Sequence, residues 1–292
     1  MIEKKLHDLS EEYGISFENL LANYLKEIII ATLCEKGYGS CLCLKDPKAL
    51  SMERAKGRSN RNLLFLYKED ERILANDGFV PGCPFSAHYM EEFYQHILCK
   101  LPQVRIDHPE IGMNYIKFEA FCENMYVPFF LEIKDETMEG FTPNQEELIL
   151  PITNKTYEML TYPLEQEAAV HLGAILKDLE LINEMEHYFA LYHIFSKETI
   201  EGVRLQNGLE GVLKKEKISF MSDRFDTVLS YRDYSYMKKK WKVLLRRQKT
   251  NEPSWEEVVD ILEKVVVPIW NTSKEDMIFF GDWMPEIGRY LD

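Results

Sequence analysis

The chain has 292 residues, 46% of them apolar and 29% charged, which is length for about two domains and apolar surface for a sizeable core. With 14 Gly and 12 Pro it is too poor in both for a collagen-like or low-complexity scaffold. Lys and Arg number 35 against 49 Asp and Glu, a formal charge of −14, which excludes attraction of the whole surface to nucleic acid or anionic lipid and confines such contact to a local patch.

The opening MIEKKLHDLSEEYG lacks a signal-type apolar run, and nowhere do about 18 apolar residues follow one another without charge. Secretion and membrane spanning are therefore not expected, and the expected location is cytoplasmic. After Ser16, the residues Leu20, Leu21, Tyr24, Leu25, Ile28 and Ile29 recur at helical spacing until Gly37 and Gly39, predicting an amphipathic helix over 17–36. From Ser40 to Tyr162 the runs CLCLK, NLLFLYK, YIKFEAF and VPFFLEI, broken by Pro and Gly turns, read as strands of a mixed sheet. Cys41 and Cys43 alternate on the first of these and are expected to share a face. The six cysteines, with no C-x-x-C among them, fit reduced, buried thiols better than a disulfide framework or a zinc site.

From residue 164 the pattern turns helical, with apolar periodicity over Leu164 to Leu181 and Tyr188 to Phe195. The clearest helix opens on a capping box of Ser254 and Glu257, buries Val258, Val259, Ile261, Leu262, Val265 and Val266, and is expected to end at Pro268. The organisation expected is N-terminal helices over 1–37, a sheet core over 38–162, and a helical region over 163–292 packed on that core. The fold class is α/β (α+β).

No P-loop, dinucleotide-binding, serine-hydrolase or zinc-protease signature is present. Five segments nevertheless follow a familiar order. LCLKDPKALSMERAKGRSNRNLLFLYK from Leu42 matches, through Lys45, Ala49, Leu50, Arg58 and Ser59, a strand, Gly-Gly turn and D-x-D strand. VPFFLEIKDE from Val127 matches a later strand bearing an acid, here Glu132. YPLEQEAAVHLGAI from Tyr162 and NEMEHYFALYHIF from Asn183 match two helical motifs, and the C-terminal run matches a basic helix with Trp241 followed by a capped helix closing on Pro268. In this order the chain resembles the bacterial AbiEii/AbiGii family of abortive-infection nucleotidyltransferase toxins. The resemblance implies a nucleotidyltransferase-like sheet flanked by helices and a toxin–antitoxin or phage-defence context.

Nucleotidyl transfer needs two or three carboxylates around Mg²⁺, because the metals neutralise the triphosphate and stabilise the leaving pyrophosphate. The D-x-D positions here read Asn62 and Leu64, the Gly-Gly turn reads Asp46-Pro47, and the family's Lys and two Asp in the helical half become His171, His187 and Ala190. Catalysis is therefore expected to be lost. The resemblance makes Glu132, His171 and His187 the candidate catalytic residues, and Lys45, Ser51, Arg58 and Asn62 the candidate nucleotide- or phosphate-binding residues. Lys45 is expected to pair with its neighbour Asp46. No resident metal or cofactor is expected, Mg²⁺ being needed only if transfer survives.

The expected function is binding or regulation by a degenerate relative. One alternative is an active nucleotidyltransferase, passing NMP from NTP to RNA or protein through a rearranged site of Glu132, Asp46 and a histidine. Another is a structural partner of an active family member. An antitoxin or other defence-system protein is a possible partner.

Between Lys238 and Lys249 seven cations stand in twelve residues with no acid. Met237, Trp241, Leu244 and Leu245 form the apolar face of that helix, so Lys238, Lys239, Lys242, Arg246 and Arg247 project either towards RNA or nucleotide phosphates or simply into solvent. The aromatic tail from Asp276 is either a strap closing the core or a partner-binding segment, and core closure is the expectation because so much exposed aromatic surface invites aggregation.

Overall fold

The computed structural model describes residues 2–56, 61–67, 87–134 and 141–291. These fall into two compact units divided between Tyr162 and Pro163, with residues 141–142 belonging to the second.

In the first unit α1 (Ile2–Tyr13) and α2 (Phe17–Glu35) precede the sheet. Ser16 caps α2 by accepting a hydrogen bond from the Asn19 amide, satisfying one of the unpaired donors of the first turn. Gly37 takes φ +86°, a left-handed conformation that a side chain would strain, and so turns the chain towards β1 (Leu42–Leu44). The short α3 (Met52–Ala55) precedes β2 (Asn62–Tyr67), and α4 (Ala87–Lys100) precedes a run of five strands. These are β3 (Arg105–Ile111), β4 (Tyr115–Cys122), β5 (Met125–Lys134), β6 (Asn144–Leu150) and β7 (Lys155–Thr161).

The seven strands form one mixed sheet in the order β3-β4-β5-β2-β1-β7-β6. β2 runs parallel to β5 and β1 parallel to β7, the other neighbours being antiparallel. Alternation decides which face is core. Ile116, Phe118, Ala120 and Cys122 of β4 and Val127, Phe129, Leu131 and Ile133 of β5 are buried, whereas Lys117, Glu119, Phe130 and Glu132 lie on the more open face. Phe118 and Phe129 stack across that pair at 5.4 Å.

Cys41 and Cys43 are both buried as expected, Cys41 lying one residue before β1, whose three residues are all buried. Cys34, Cys41, Cys43, Cys99 and Cys122 are free thiols. Burial pushes the Cys43 thiol up to about 12, which keeps it protonated and unreactive. Cys83 lies outside the described residues.

The second unit contains α5 (Leu164–Asp178), α6 (Glu186–Lys197), α7 (Gly202–Glu216), α8 (Arg224–Ser230), α9 (Ser235–Gln248) and α10 (Trp255–Lys274). A small sheet of β8 (Ile200–Glu201), β9 (Asp282–Met284) and β10 (Arg289–Leu291), in the order β10-β9-β8, completes it. A mixed sheet flanked by helices and followed by a helical half is the expected class.

The predicted capping box is present on α10, Glu257 accepting from the Ser254 amide at 2.7 Å. The helix does not end at Pro268, however, but continues to Lys274. An interior proline costs about 3 kcal/mol. That cost is offset beyond the proline by complete burial of Ile269 and Trp270, whose ring packs 4.7 Å from Phe220 and 5.2 Å from Phe225.

The aromatic tail closes this unit's core through two residues: the Trp283 indole is buried and donates to the Phe195 carbonyl at 2.7 Å, and the Tyr290 hydroxyl donates to the Val265 carbonyl at 2.7 Å. Phe280 stays outside, 76% exposed. Among the described residues no helix is long and apolar enough to cross a membrane.

Candidate functional site

The end of β1 is held between two neighbours, the Lys45 amide donating to the Leu64 carbonyl at 2.9 Å and the Tyr162 amide to the Leu44 carbonyl at 3.0 Å. On the far side of β2, Leu64 pairs with Glu132 of β5 and Asn62 pairs with Phe130. Lys45, just past the end of β1, thus stands beside Leu64 of β2, which in turn stands beside Glu132 of β5, with Asn62 exposed at the start of β2. What converges there is one carboxylate, one aliphatic side chain and one neutral amide. These residues do not fit a two-metal centre. Among the described residues no three His, Cys, Asp or Glu side chains cluster as a metal site would need.

The expected Lys45–Asp46 pairing is not the arrangement adopted. Asp46 is held in both oxygens by Arg54 Nη1, at 2.6 and 2.7 Å, and Lys45 Nζ lies 3.0 Å from the centre of the Tyr162 ring. The cause is backbone direction: after β1 the chain winds into a 3₁₀ turn over Pro47–Leu50 and then α3, which brings Arg54 back beside Asp46. Ser51 caps α3 by accepting from the Arg54 amide at 3.3 Å, so its hydroxyl oxygen already holds the turn together. Arg58 lies outside the described residues.

In the helical unit His171 of α5 and His187 of α6 meet at 2.8 Å between their Nδ1 atoms. At that separation one ring must donate and the other accept, so the pair shares one proton. Each remaining Nε2 faces an acid, His171 towards Glu167 at 3.8 Å and His187 towards Glu184 at 3.5 Å. Burial, with electrostatic opposition from the neighbouring His171 ring second, lowers the His187 imidazole below its ordinary value, which favours the neutral form of His187 at physiological pH.

Helix α9 buries Met237, Trp241, Leu244 and Leu245 as its periodicity predicts. Its cations divide into two groups. Lys238 is tied to Glu256 at 2.5 Å and to Asp233 at 3.4 Å, and Lys240 donates to the carbonyls of Glu180 at 3.0 Å and Ile182 at 2.6 Å. Those two do not project outward, which corrects the expectation for Lys238, because α9 lies beside the N-terminus of α10 and the carbonyls that follow α5. Lys239, Lys242, Arg246 and Arg247 are exposed and make no salt bridge among the described residues, although the charge of Lys242 helps to lower the Glu256 carboxyl, after the larger effect of Lys238.

Sequence reasoning missed Lys26 and Glu27, both buried in α2. Lys26 Nζ donates to Asn23 Oδ1 at 3.1 Å and to the Ala49 carbonyl at 3.0 Å, bracing the turn after β1 from beneath. Glu27 accepts from the amides of Ile152 and Thr153, both at 2.7 Å, and so fixes the turn between β6 and β7. The signal was a Lys-Glu pair inside an otherwise apolar helical stretch, where charges persist only with partners.

No family model matches the chain, and no curated protein matches it. Two solved structures are similar in fold, each with a TM-score of 0.48. JHP933 from Helicobacter pylori is 11% identical, with coverage of 90% of this chain and 96% of that one. A further crystal structure from H. pylori, described as that of a candidate nucleotidyltransferase, is 12% identical, with coverage of 91% of this chain and 100% of that one.

Proposed function

We propose that this chain is a catalytically degenerate relative of nucleotidyltransferases that acts by binding a nucleotide or RNA in a toxin–antitoxin or phage-defence setting. The observation that carries this is the direct pairing of Leu64 with Glu132 across β2 and β5. Where transfer needs two acids on one strand face beside a third, an aliphatic side chain stands next to the single acid, and Asn62 on the same face offers only an amide. Losing one transition-state contact costs about 3 kcal/mol, a factor of about a hundred or more, and several are missing together. Asp46, the acid of the preceding turn, is neutralised by Arg54 and is a poor replacement ligand. The biological setting is supported by the sequence resemblance alone.

Incubation with Mg²⁺ or Mn²⁺, each labelled nucleoside triphosphate and total RNA tests the proposal. No transfer above a Glu132→Ala control is expected, with saturable binding of triphosphate or RNA persisting in the absence of metal. Robust transfer that Glu132→Ala abolishes would overturn it.

A further inference from the structure

A cavity of about 350 Å³ lies at the N-terminal end of α5 within the helical unit, at the lower end of the roughly 300–1,000 Å³ usual for small-molecule sites. Its chemistry is unusual because two polar side chains lining it, Glu165 and Gln166, are only 8% and 7% exposed. Glu165 Oε1 accepts from the Glu201 amide at 3.2 Å, and its second oxygen has no partner among the described residues. Gln166 Oε1 is fully buried with no hydrogen-bond partner among the described residues. It approaches Gly208 so closely that a Cβ there would lie 2.8 Å from the oxygen. The Gln166 oxygen is turned towards Gly208 and lies out of a ligand's reach, so the acceptor capacity that the cavity offers is the second oxygen of Glu165, which a donor entering the cavity can use.

Arg204 lines the same cavity, oriented by Nη2 donating to the Thr142 carbonyl at 2.9 Å and by Nε lying 3.6 Å from Glu201. Its remaining N–H groups stay available. The guanidinium disfavours a cationic ligand, and the Glu165 carboxylate disfavours a phosphate. What fits both is a neutral, planar group with adjacent N–H donors on one edge and acceptors on another. Phe141 and Pro163 supply apolar lining against which a ring can stack.

We propose that this cavity binds a guanine base. N1–H and the 2-amino group would donate to Glu165, while O6 and N7 accept from Arg204, the pairing that guanidinium and guanine geometry favours. The base could belong to a free nucleotide or to single-stranded RNA. The proposal goes beyond the phosphate chemistry of the sheet, and its residues all belong to the helical unit, so either can fail without the other.

Calorimetric titration of the full chain with guanosine, inosine, adenosine, GMP and a single-stranded tetranucleotide carrying one guanine tests it. Guanosine is expected to bind saturably, inosine, which lacks the 2-amino donor, about tenfold more weakly, and adenosine not measurably. Glu165→Gln, which still accepts from the Glu201 amide, is expected to lose at least tenfold in guanosine affinity with an unchanged thermal midpoint. Should that variant unfold, the guanosine-to-inosine ratio on the native chain decides. Tighter binding of the tetranucleotide than of GMP would identify RNA as the source, and equal or weaker binding a free nucleotide. No guanosine heat at millimolar concentration, equal affinity for guanosine and adenosine, or a folded Glu165→Gln variant with native affinity would overturn the proposal.

Discussion

Replacing Lys26 with Met isolates the electrostatic cost of the charge beneath the turn after β1. Lys26 is 1% exposed, and burial lowers its ammonium group from 10.5 to about 8, with Asp46 opposing the shift and Arg54 adding to it. Between about pH 8 and 10.5 the unfolded chain therefore binds more protons at this site than the folded protein. Stability from this group consequently rises with pH through that window, whereas below pH 8 the full penalty for burying the charge is present. At about 1.36 kcal/mol per pH unit, the separation of the two values amounts to about 3 kcal/mol.

The Met variant keeps a flexible side chain of similar length and removes the titration. It also strips a donor from Asn23 Oδ1 and from the Ala49 carbonyl, a loss that does not change with pH. Urea unfolding of both proteins from pH 7 to pH 10.5 reads the difference, in which the other groups titrating in this range cancel. The difference should move by about 3 kcal/mol in favour of the native chain. A difference that stays constant with pH would refute the assignment of a charged, desolvated Lys26.

Reversing charge at Lys239, Arg246 and Arg247 should weaken RNA binding and reduce the slope of log affinity against log salt by about 2, since each phosphate contact on a single strand contributes about 0.7. An unchanged slope in filter binding would leave these cations as a solvated face. Trp283→Ala removes a buried indole and its hydrogen bond to Phe195, and should cost about 3–5 kcal/mol in the denaturation of the helical unit. A near-native unfolding midpoint would show that the tail does not close the core.

Local periodicity made much of this fold legible. The extent of α2, the alternation of β4 and β5 and the capped start of α10 are all written in residues a few positions apart, where helical and strand geometry dictate which side chains share a face, but α2 is not the amphipathic helix expected: every residue from Leu20 to Leu33 is buried, because the helix is packed on all sides. The sheet's edge strands were not legible: β3 reads RIDHPEI and β6 reads NQEELIL, and β3 buries none of its residues and β6 only two. Pro268 misled for a related reason, because the burial of Ile269 and Trp270 that carries α10 past it is a tertiary gain.

At the candidate site the resemblance to the AbiEii/AbiGii family singled out Asn62 and Leu64, but the partner of each was decided by strand register, which set Leu64 beside Glu132. Arg54 displaced Lys45 as the partner of Asp46, and His171 met His187 at 2.8 Å although sixteen residues separate them. Composition and spacing determined the class of elements and the apolar faces, because those follow from side-chain chemistry and backbone pitch. Which charges are paired, which acceptors are buried without a donor, and where a cavity remains depended on segments distant in the chain packing together, and only the tertiary structure decided that.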